Sequence, residues 1–354
     1  MPSQFILFLR RISWILLLSG LLIGCGNFRT AQNSSSEVIY TIPDGLSRKQ
    51  AETLASLREL DDYPLYTMTY RADYDPGPEP IGTSAYETNR VPDWSCSLFA
   101  ALGDPEELHF GRNFDWDYSP ALLLYTDPPD GLASISMVDI AYLGFNRDRA
   151  AGLTGLPLEE RLNLLDAPYL PFDGLNEAGL AVGMAAVPYR PGSPDSNLPE
   201  ADSLMVIRII LDQAVTISQA VDILASFDIQ WGGGPPLHYL IADASGRAVL
   251  VEFTGNGMQV RYNQQPWHLA TNFLVQETGE YPSGRCGRYD HLAAALEASA
   301  GRLEAGEGMQ LLSEVSQPST QWSVVYNLQQ QEVLVAMGGN FHPAYRIPLR
   351  RDLN

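Results

Sequence analysis

Apolar residues recur at two different periods along this chain, and the two periods alternate in blocks. Over residues 44–61 they fall three and four apart (Ala51 to Leu54 and Ala55, Leu54 to Leu57), which predicts a helix capped by Asp44 or Ser47. Residues 65–70 alternate as a strand, and a loop with three prolines (Pro76, Pro78, Pro80) follows. Two short apolar runs then flank Gly103-Asp104-Pro105, which predicts a β-hairpin over 96–116. Further strands are predicted at 121–126, 134–144 and 179–187, with a Leu-rich helix near 157–165. Helices are predicted at 202–213 and 215–227, the second on the spacing of Ile217, Ala220, Val221 and Leu224. Two hairpins stand out downstream, 237–242 with 248–253 and 323–326 with 332–337. Helices near 288–299 and 306–315 lie between them, and no internal repeat is visible. Strands surrounding pairs of helices predict a layered α+β fold.

The first residues follow a different rule. Arg10 and Arg11 precede an apolar run over 12–23, too short to span a bilayer and suited to a signal peptide. The run ends Leu22-Ile23-Gly24-Cys25, which resembles a bacterial lipobox, where the cysteine is lipidated and becomes the new N-terminus. The alternatives are an ordinary secretory signal or an uncleaved anchor. Residues 32–37 read as a flexible tether. The expected division is a lipoprotein signal peptide (1–24), a tether and pro-segment (25–95) and a catalytic domain (96–354). Residues 26–95 also read as the first elements of one continuous fold. The expected location is extracytoplasmic, at a bacterial membrane held through lipid on Cys25.

Charge narrows the partners. Lys and Arg number 22 against 42 Asp and Glu, a net charge of −20. Such a surface repels nucleic acid and anionic lipid. The five histidines (His109, His238, His268, His291, His342) show no metal-ligand spacing, so no metal is expected.

The hairpin carries the chemistry. With its turn centred near Pro105, Cys96 pairs across the ladder with a residue near 113–115, about 5 Å away. Arg112 shares strand parity with Phe114 and a face with Cys96. Asp115 has the opposite parity and needs a bulge or a strand end to join them.

Cys96, followed sixteen residues later by the Arg of Gly111-Arg112-Asn113-Phe114-Asp115-Trp116, resembles the choloylglycine hydrolase and penicillin V acylase group. It also resembles the acid ceramidase and isopenicillin-N acyltransferase relatives, all N-terminal-nucleophile enzymes. Asp173-Gly174-Leu175-Asn176-Glu177-Ala178-Gly179-Leu180 is similar to a second family block. Ala270-Thr271-Asn272 and Gly287-Arg288-Tyr289 are similar to two shorter ones. The resemblance implies a four-layer α-β-β-α sandwich, no cofactor, and cleavage at Ser95–Cys96 so that Cys96 leads the mature chain. It implies hydrolysis of the linear amide of a small N-acyl substrate through a Cys96 thioester, with the pro-segment removed or retained as a subunit.

On this reading the α-amino group of Cys96, with a pKa of about 7.7–8.0, is the base. Arg112 lowers the thiol pKa, Asp115 orients the ammonium or thiol, Asn272 donates to the oxyanion, and Arg288 holds Asp115 or the substrate. Each has a plainer use: surface ion pair, strand-end cap, turn residue, helix-start residue. Asn176 divides evenly between substrate or oxyanion contact and fixing its own turn. Bile-salt hydrolases carry an Asn where this chain has Ala186, so the resemblance implies the broader acylase group. The stretches 121–129 and 140–145 are candidates for an acyl pocket or for core strands. Three other readings stay open: an acyltransferase, a conventional Cys–His hydrolase using His268 or His238, and a non-catalytic surface lipoprotein. Cys96 and Cys286 are also a candidate disulfide or reversible redox lock.

Overall fold

Leu98 and Ala100 of the first hairpin enter one apolar core, while Phe99 and Ala101 enter another. A strand buried on both faces sits between two layers, and this one does. The computed structural model describes residues 29–30, 42–75, 95–188, 197–232, 234–277 and 282–349. A seven-stranded sheet runs, in spatial order, β1 (Arg29–Thr30), β18 (Asn340–Pro348), β17 (Glu332–Met337), β16 (Thr320–Asn327), β5 (His109–Asp115), β4 (Ser97–Ala101) and β15 (Trp267–Ala270). A nine-stranded sheet runs β14 (Gly257–Tyr262), β13 (Arg247–Thr254), β12 (Leu237–Asp243), β9 (Ala181–Ala186), β8 (Pro171–Asn176), β7 (Ser134–Asp139), β6 (Ala121–Thr126), β3 (Leu65–Thr69) and β2 (Arg58–Asp61). A short parallel pair, β10 (Glu200–Asp202) and β11 (Asp228–Gln230), stands apart.

The two large sheets stack through their inner faces. Gly183 of β9 lies so close to the other sheet that a Cβ there would meet Leu98 at 3.0 Å and Phe110 at 3.1 Å. Helices α5 (Gly287–Ala298) and α6 (Ala305–Glu314) cover the outer face of the smaller sheet, where Leu292, Leu296, Met309 and Leu312 join Phe99, Val325 and Leu334. Helices α3 (Met205–Gln213) and α4 (Ile217–Ala225) pack on β8, β9, β12 and β13 of the larger sheet. The result is the four-layer α-β-β-α sandwich. The remaining helices are α1 (Arg48–Ala55) and α2 (Arg147–Ala150).

Three expectations are corrected. The first helix begins at Ser47 with a complete capping box to Gln50, but it stops at Ala55. Residues 58–61 become β2 and pair with β3, Arg58 opposite Thr67. The spacing of Leu54, Leu57 and Leu60 suits a helix locally, but cross-strand pairing at the sheet edge overrides it. The strand expected over 134–144 ends at Asp139, whose carboxylate accepts Ala141 N–H at 2.9 Å and starts a 3₁₀ turn over Ile140–Leu143. The Leu-rich segment is a 3₁₀ helix, Leu158–Tyr169, with Pro168 inside it. Besides β2, seven strands were not foreseen: β1, β8, β10, β11, β14, β15 and β18. All six residues of β8 are buried, yet Asp173, Gly174 and Asn176 hide the apolar pattern.

Two strands before Cys96, β2 and β3, are part of the larger sheet. β3 runs parallel to β6, and Leu65, Tyr66 and Met68 are buried in the common core. The lipobox with Cys25, the tether and residues 76–94 lie outside the described residues. Among the described residues no helix is long and apolar enough to cross a membrane. The first stretch considered for an acyl pocket is core: every residue of β6 is buried.

Candidate active site

The register of the first hairpin places the thiol. Ser97 pairs with Asn113 and Leu98 with Arg112, so the turn centres on Pro105 and Cys96 stands opposite Phe114. Cys96 is 2 % exposed and belongs to the core between the sheets, with Leu98 and Phe114. Gly111 has a packing reason. A Cβ there would lie 2.2 Å from the Phe99 ring, so the residue before Arg112 has no room for a side chain.

Arg112 shares the inner face with Cys96, as its parity requires, and is fully buried. Its guanidinium is held by the opposite sheet. Nη1 donates to Phe172 O at 2.7 Å and to Asp173 Oδ2 at 2.5 Å, and Nη2 to Met184 Sδ at 3.6 Å. Asp173 is also fully buried and accepts from Tyr326 Oη at 2.5 Å and Trp322 Nε1 at 3.3 Å. Sequence reasoning missed Asp173 as a partner of Arg112; the acid inside a quoted motif was the available signal. Among the described residues Arg112 Nε has no hydrogen-bond partner.

Asp115 is carried by a strand end and a facing bulge, the two devices its parity demands. β5 ends there, and the pairing of β16 shifts between Thr320 and Trp322. Thr320 Oγ1 donates to Asp115 Oδ1 at 2.5 Å, while buried Oδ2 has no hydrogen-bond partner among the described residues. Burial pushes the carboxyl up to about 6, against the opposing pull of the Thr320 hydroxyl, Arg288 and Arg112. The effect on stability has a definite sign. A folded-state pKa above the unfolded value means the native chain binds more protons between about pH 4 and 6, so this group costs stability as pH rises through that window. Asp115→Asn is therefore expected to be more stable than wild type above pH 7, by up to about 3 kcal/mol, and not at pH 4. Urea titrations at pH 4 and pH 7.5 check this; equal differences at both would refute it. Burial alone does not mark a site, since Asp139 is pushed further, to about 7, at a turn.

Arg288 stands in the first turn of α5 and reaches back over the thiol residue. Its Nη1 donates to Ser95 O at 2.7 Å, to Cys96 O, and to Ser97 Oγ at 2.9 Å. Nη2 donates to Asn272 Oδ1 at 3.1 Å, and Asn272 Nδ2 donates to Ala186 O at 2.9 Å. The fold thus gathers Cys96, Asn272, Arg288 and the backbone of Ala186 at one end of β4. Asp115 joins them electrostatically, through Arg288 and Arg112. An aromatic floor lies beneath: Phe114 stacks on Trp322 at 4.1 Å and meets Phe172 edge-on at 5.1 Å. Tyr142, from the second stretch considered for an acyl pocket, meets Phe172 at 5.4 Å.

Asn176 shows its turn-fixing use. Its Nδ2 donates to Leu211 O at 3.1 Å and Ala214 O at 2.8 Å, and its Oδ1 accepts from Ala178 and Leu180 N–H. The oxygen closes the corner between β8 and β9, and the nitrogen ties that corner to the C-terminal end of α3. His268 uses both ring nitrogens, Nε2 on Arg261 O and Nδ1 accepting Leu269 N–H, and burial lowers its pKa to about 4. His238 Nδ1 pairs with Glu252 at 3.2 Å. Cys96 and Cys286 are both free thiols, and Cys286 is the residue that precedes α5.

Residues 171–297 match the family model of acyl-coenzyme A:6-aminopenicillanic acid acyl-transferase. The matched segment holds Asp173, Asn272 and Arg288; the hairpin with Cys96 precedes it. Two structures of conjugated bile acid hydrolase from Clostridium perfringens are similar, with 15 % identity, 72 % of this chain and 92 % of that chain covered, and TM-scores of 0.51 and 0.50. Penicillin V acylase from Agrobacterium tumefaciens is similar at 17 % identity, covering 72 % of this chain and 86 % of that chain, with a TM-score of 0.49. The fold is that of the N-terminal-nucleophile hydrolases.

Proposed function

We propose that this chain with an N-terminal-nucleophile fold is a self-processing cysteine amidohydrolase. It cleaves the linear amide of an N-acyl substrate through a Cys96 thioester. One observation carries the reading: Arg288, braced by Asn272, donates to the carbonyl of Ser95, the bond partner of Cys96. A cation on that oxygen favours negative charge developing there when the carbonyl is attacked.

Maturation then runs in balanced steps. Cys96 Sγ attacks the Ser95 carbonyl carbon, the Ser95–Cys96 C–N bond breaks, and the nitrogen takes a proton to become the α-amino group. Water opens the resulting thioester, leaving a carboxylate on Ser95 and a thiol on Cys96. The unpartnered oxygen of Asp115 accepts from the new ammonium or thiol and orients it. In turnover the α-amine takes the thiol proton as sulfur attacks the substrate carbonyl, and gives it to the leaving amine. Water, deprotonated by the same amine, releases the acid. Asn272 and Arg288 bear on the oxyanion; before cleavage Arg288 already donates to Ser95 O, with Asn272 bracing it. Arg112 acts at one remove, as a buried charge countered by Asp173 and facing the thiol layer.

Cleavage at Ser95 leaves the preceding segment held by β2, β3 and their core contacts, so it stays as a subunit. The lipobox supports anchoring through Cys25 on the extracytoplasmic side. The apolar rings around Phe114 support an acyl group that is itself apolar.

The test is release of free amine from a panel of N-acyl amino acids, N-acyl homoserine lactones, lipid amides and penicillin V by mature protein. Amine release abolished by iodoacetamide on Cys96 is expected. No release from any member, with Cys96 shown to be free, would overturn the assignment. A second reading has the matched family in its favour: an acyltransferase passing the same thioester to an amine. Added amine acceptors then give a new amide in place of free acid.

A further inference from the structure

Among the described residues Asn272 has no sheet partner of its own. It lies in a bend just after β15, which is anchored by Ala270 opposite Leu98. What holds the other side of the bend is a buried carboxylate outside the site. Glu252 of β13, 1 % exposed, accepts Val275 N–H on Oε1 at 2.7 Å and Gln276 N–H on Oε2 at 2.8 Å. His238, fully buried on the neighbouring β12, sets its Nδ1 against the same Oε1 at 3.2 Å. A buried carboxylate is retained only when hydrogen-bonded or paired, and here its partners are the two amides that close the bend. The mechanism uses neither residue.

We propose that Glu252, backed by His238, is a positioning residue that fixes the 271–276 bend and so aims Asn272 at Arg288 and the reacting carbonyl. This rests on Asn272 serving that carbonyl, as argued above. Both carboxylate oxygens are needed, because two amide donors converge on one side chain. Glutamine keeps the shape but turns an NH₂ donor toward one of the two N–H groups. The bend then loosens without a cavity or a lost strand. A small displacement of an aligned group costs catalysis heavily, roughly a hundredfold for about 1 Å.

The experiment is a double-mutant cycle of Glu252→Gln and Asn272→Ala on mature protein, with kcat and KM measured for each variant. Glu252→Gln is expected to lower kcat roughly ten- to a hundredfold, with KM little changed. In the presence of Asn272→Ala it should add nothing, since residues acting in series are not additive. His238→Gln, which retains an amide donor for Glu252, should recover most of the activity that His238→Ala loses. Amide hydrogen exchange across 273–276 should quicken in Glu252→Gln while the core strands stay protected. Additive losses, or unchanged exchange in that segment, would overturn the proposal. Full turnover by Asn272→Ala would instead sink the reading of the site itself, and this role with it.

Discussion

Cys96→Ala leaves the chain whole across Ser95–Cys96 and without amidase activity, whereas the wild type yields a new chain beginning at Cys96. The expectation follows from one sulfur serving both reactions. An alanine cannot attack the Ser95 carbonyl, so the α-amino base is never released, and no thioester forms in turnover. The loss should therefore be complete rather than graded. Intact mass and N-terminal sequencing of the two purified proteins decide it. The variant should fold, because Cys96 contributes one small side chain to a large sheet–sheet core and Leu98, Phe114 and Trp322 remain. The wild-type fragment before Cys96 should co-elute with the rest under native conditions and separate only in denaturant, since β3 is hydrogen-bonded to β6 along five residue pairs. Cleavage that persists in Cys96→Ala would assign the nucleophile elsewhere. An uncleaved wild type would remove the α-amino base and leave a Cys–His site or a binding role. Neither His238 nor His268 is hydrogen-bonded to Cys96, which makes the former the weaker of the two.

Asp173→Ala should be among the most destabilising single substitutions in the protein. Arg112 and Asp173 are both fully shielded from water and bonded to each other across the two sheets. Removing the acid strands a guanidinium in the core, and also leaves the Tyr326 hydroxyl and the Trp322 indole N–H without their acceptor. Breaking a buried pair from one side typically costs about 3–5 kcal/mol. The contrast with a double replacement is the sharper measurement. Arg112→Met with Asp173→Leu removes both charges and fills the volume, so it should recover most of the stability in urea titrations. Activity should not return, because the charge facing the thiol layer is gone. A double variant as unstable as Asp173→Ala would mean that hydrogen bonds to Tyr326 and Trp322, rather than the stranded charge, dominate.

The stability gain expected for Asp115→Asn belongs to the same picture. A carboxyl pushed up by burial is costly to keep ionised, and a site that needs the charge accepts the cost. The variant most stable at neutral pH should thus be one that processes poorly.

Much of this was legible along the chain because it depends on local order. The first hairpin follows from two apolar runs about a turn, and its register is the one the turn implies, Cys96 opposite Phe114. Parity alone required a bulge or strand end at Asp115, and the structure has both. The capping box at Ser47 is a property of four consecutive residues. Local rules failed where a distant partner outweighed them. Residues 58–61 continue a helical spacing but take the sheet edge, because β3 supplies hydrogen bonds that a frayed helix end does not.

The sequence by itself put forward Cys96, Arg112, Asp115, Asn272 and Arg288 as candidates and determined which of them share a face of the first hairpin, since strand parity and turn length are set by neighbours. It also determined that the chain alternates strands with helix pairs. Only the tertiary structure decided what those side chains touch. Arg112 is bound to an acid 61 residues away, Arg288 reaches a carbonyl 193 residues away, and Asn176, read as divided between two uses, is occupied by its own corner and by the end of α3. The reason is physical: a buried charge or amide takes the partner that burial brings beside it, and burial is a property of two stacked sheets, not of either strand alone.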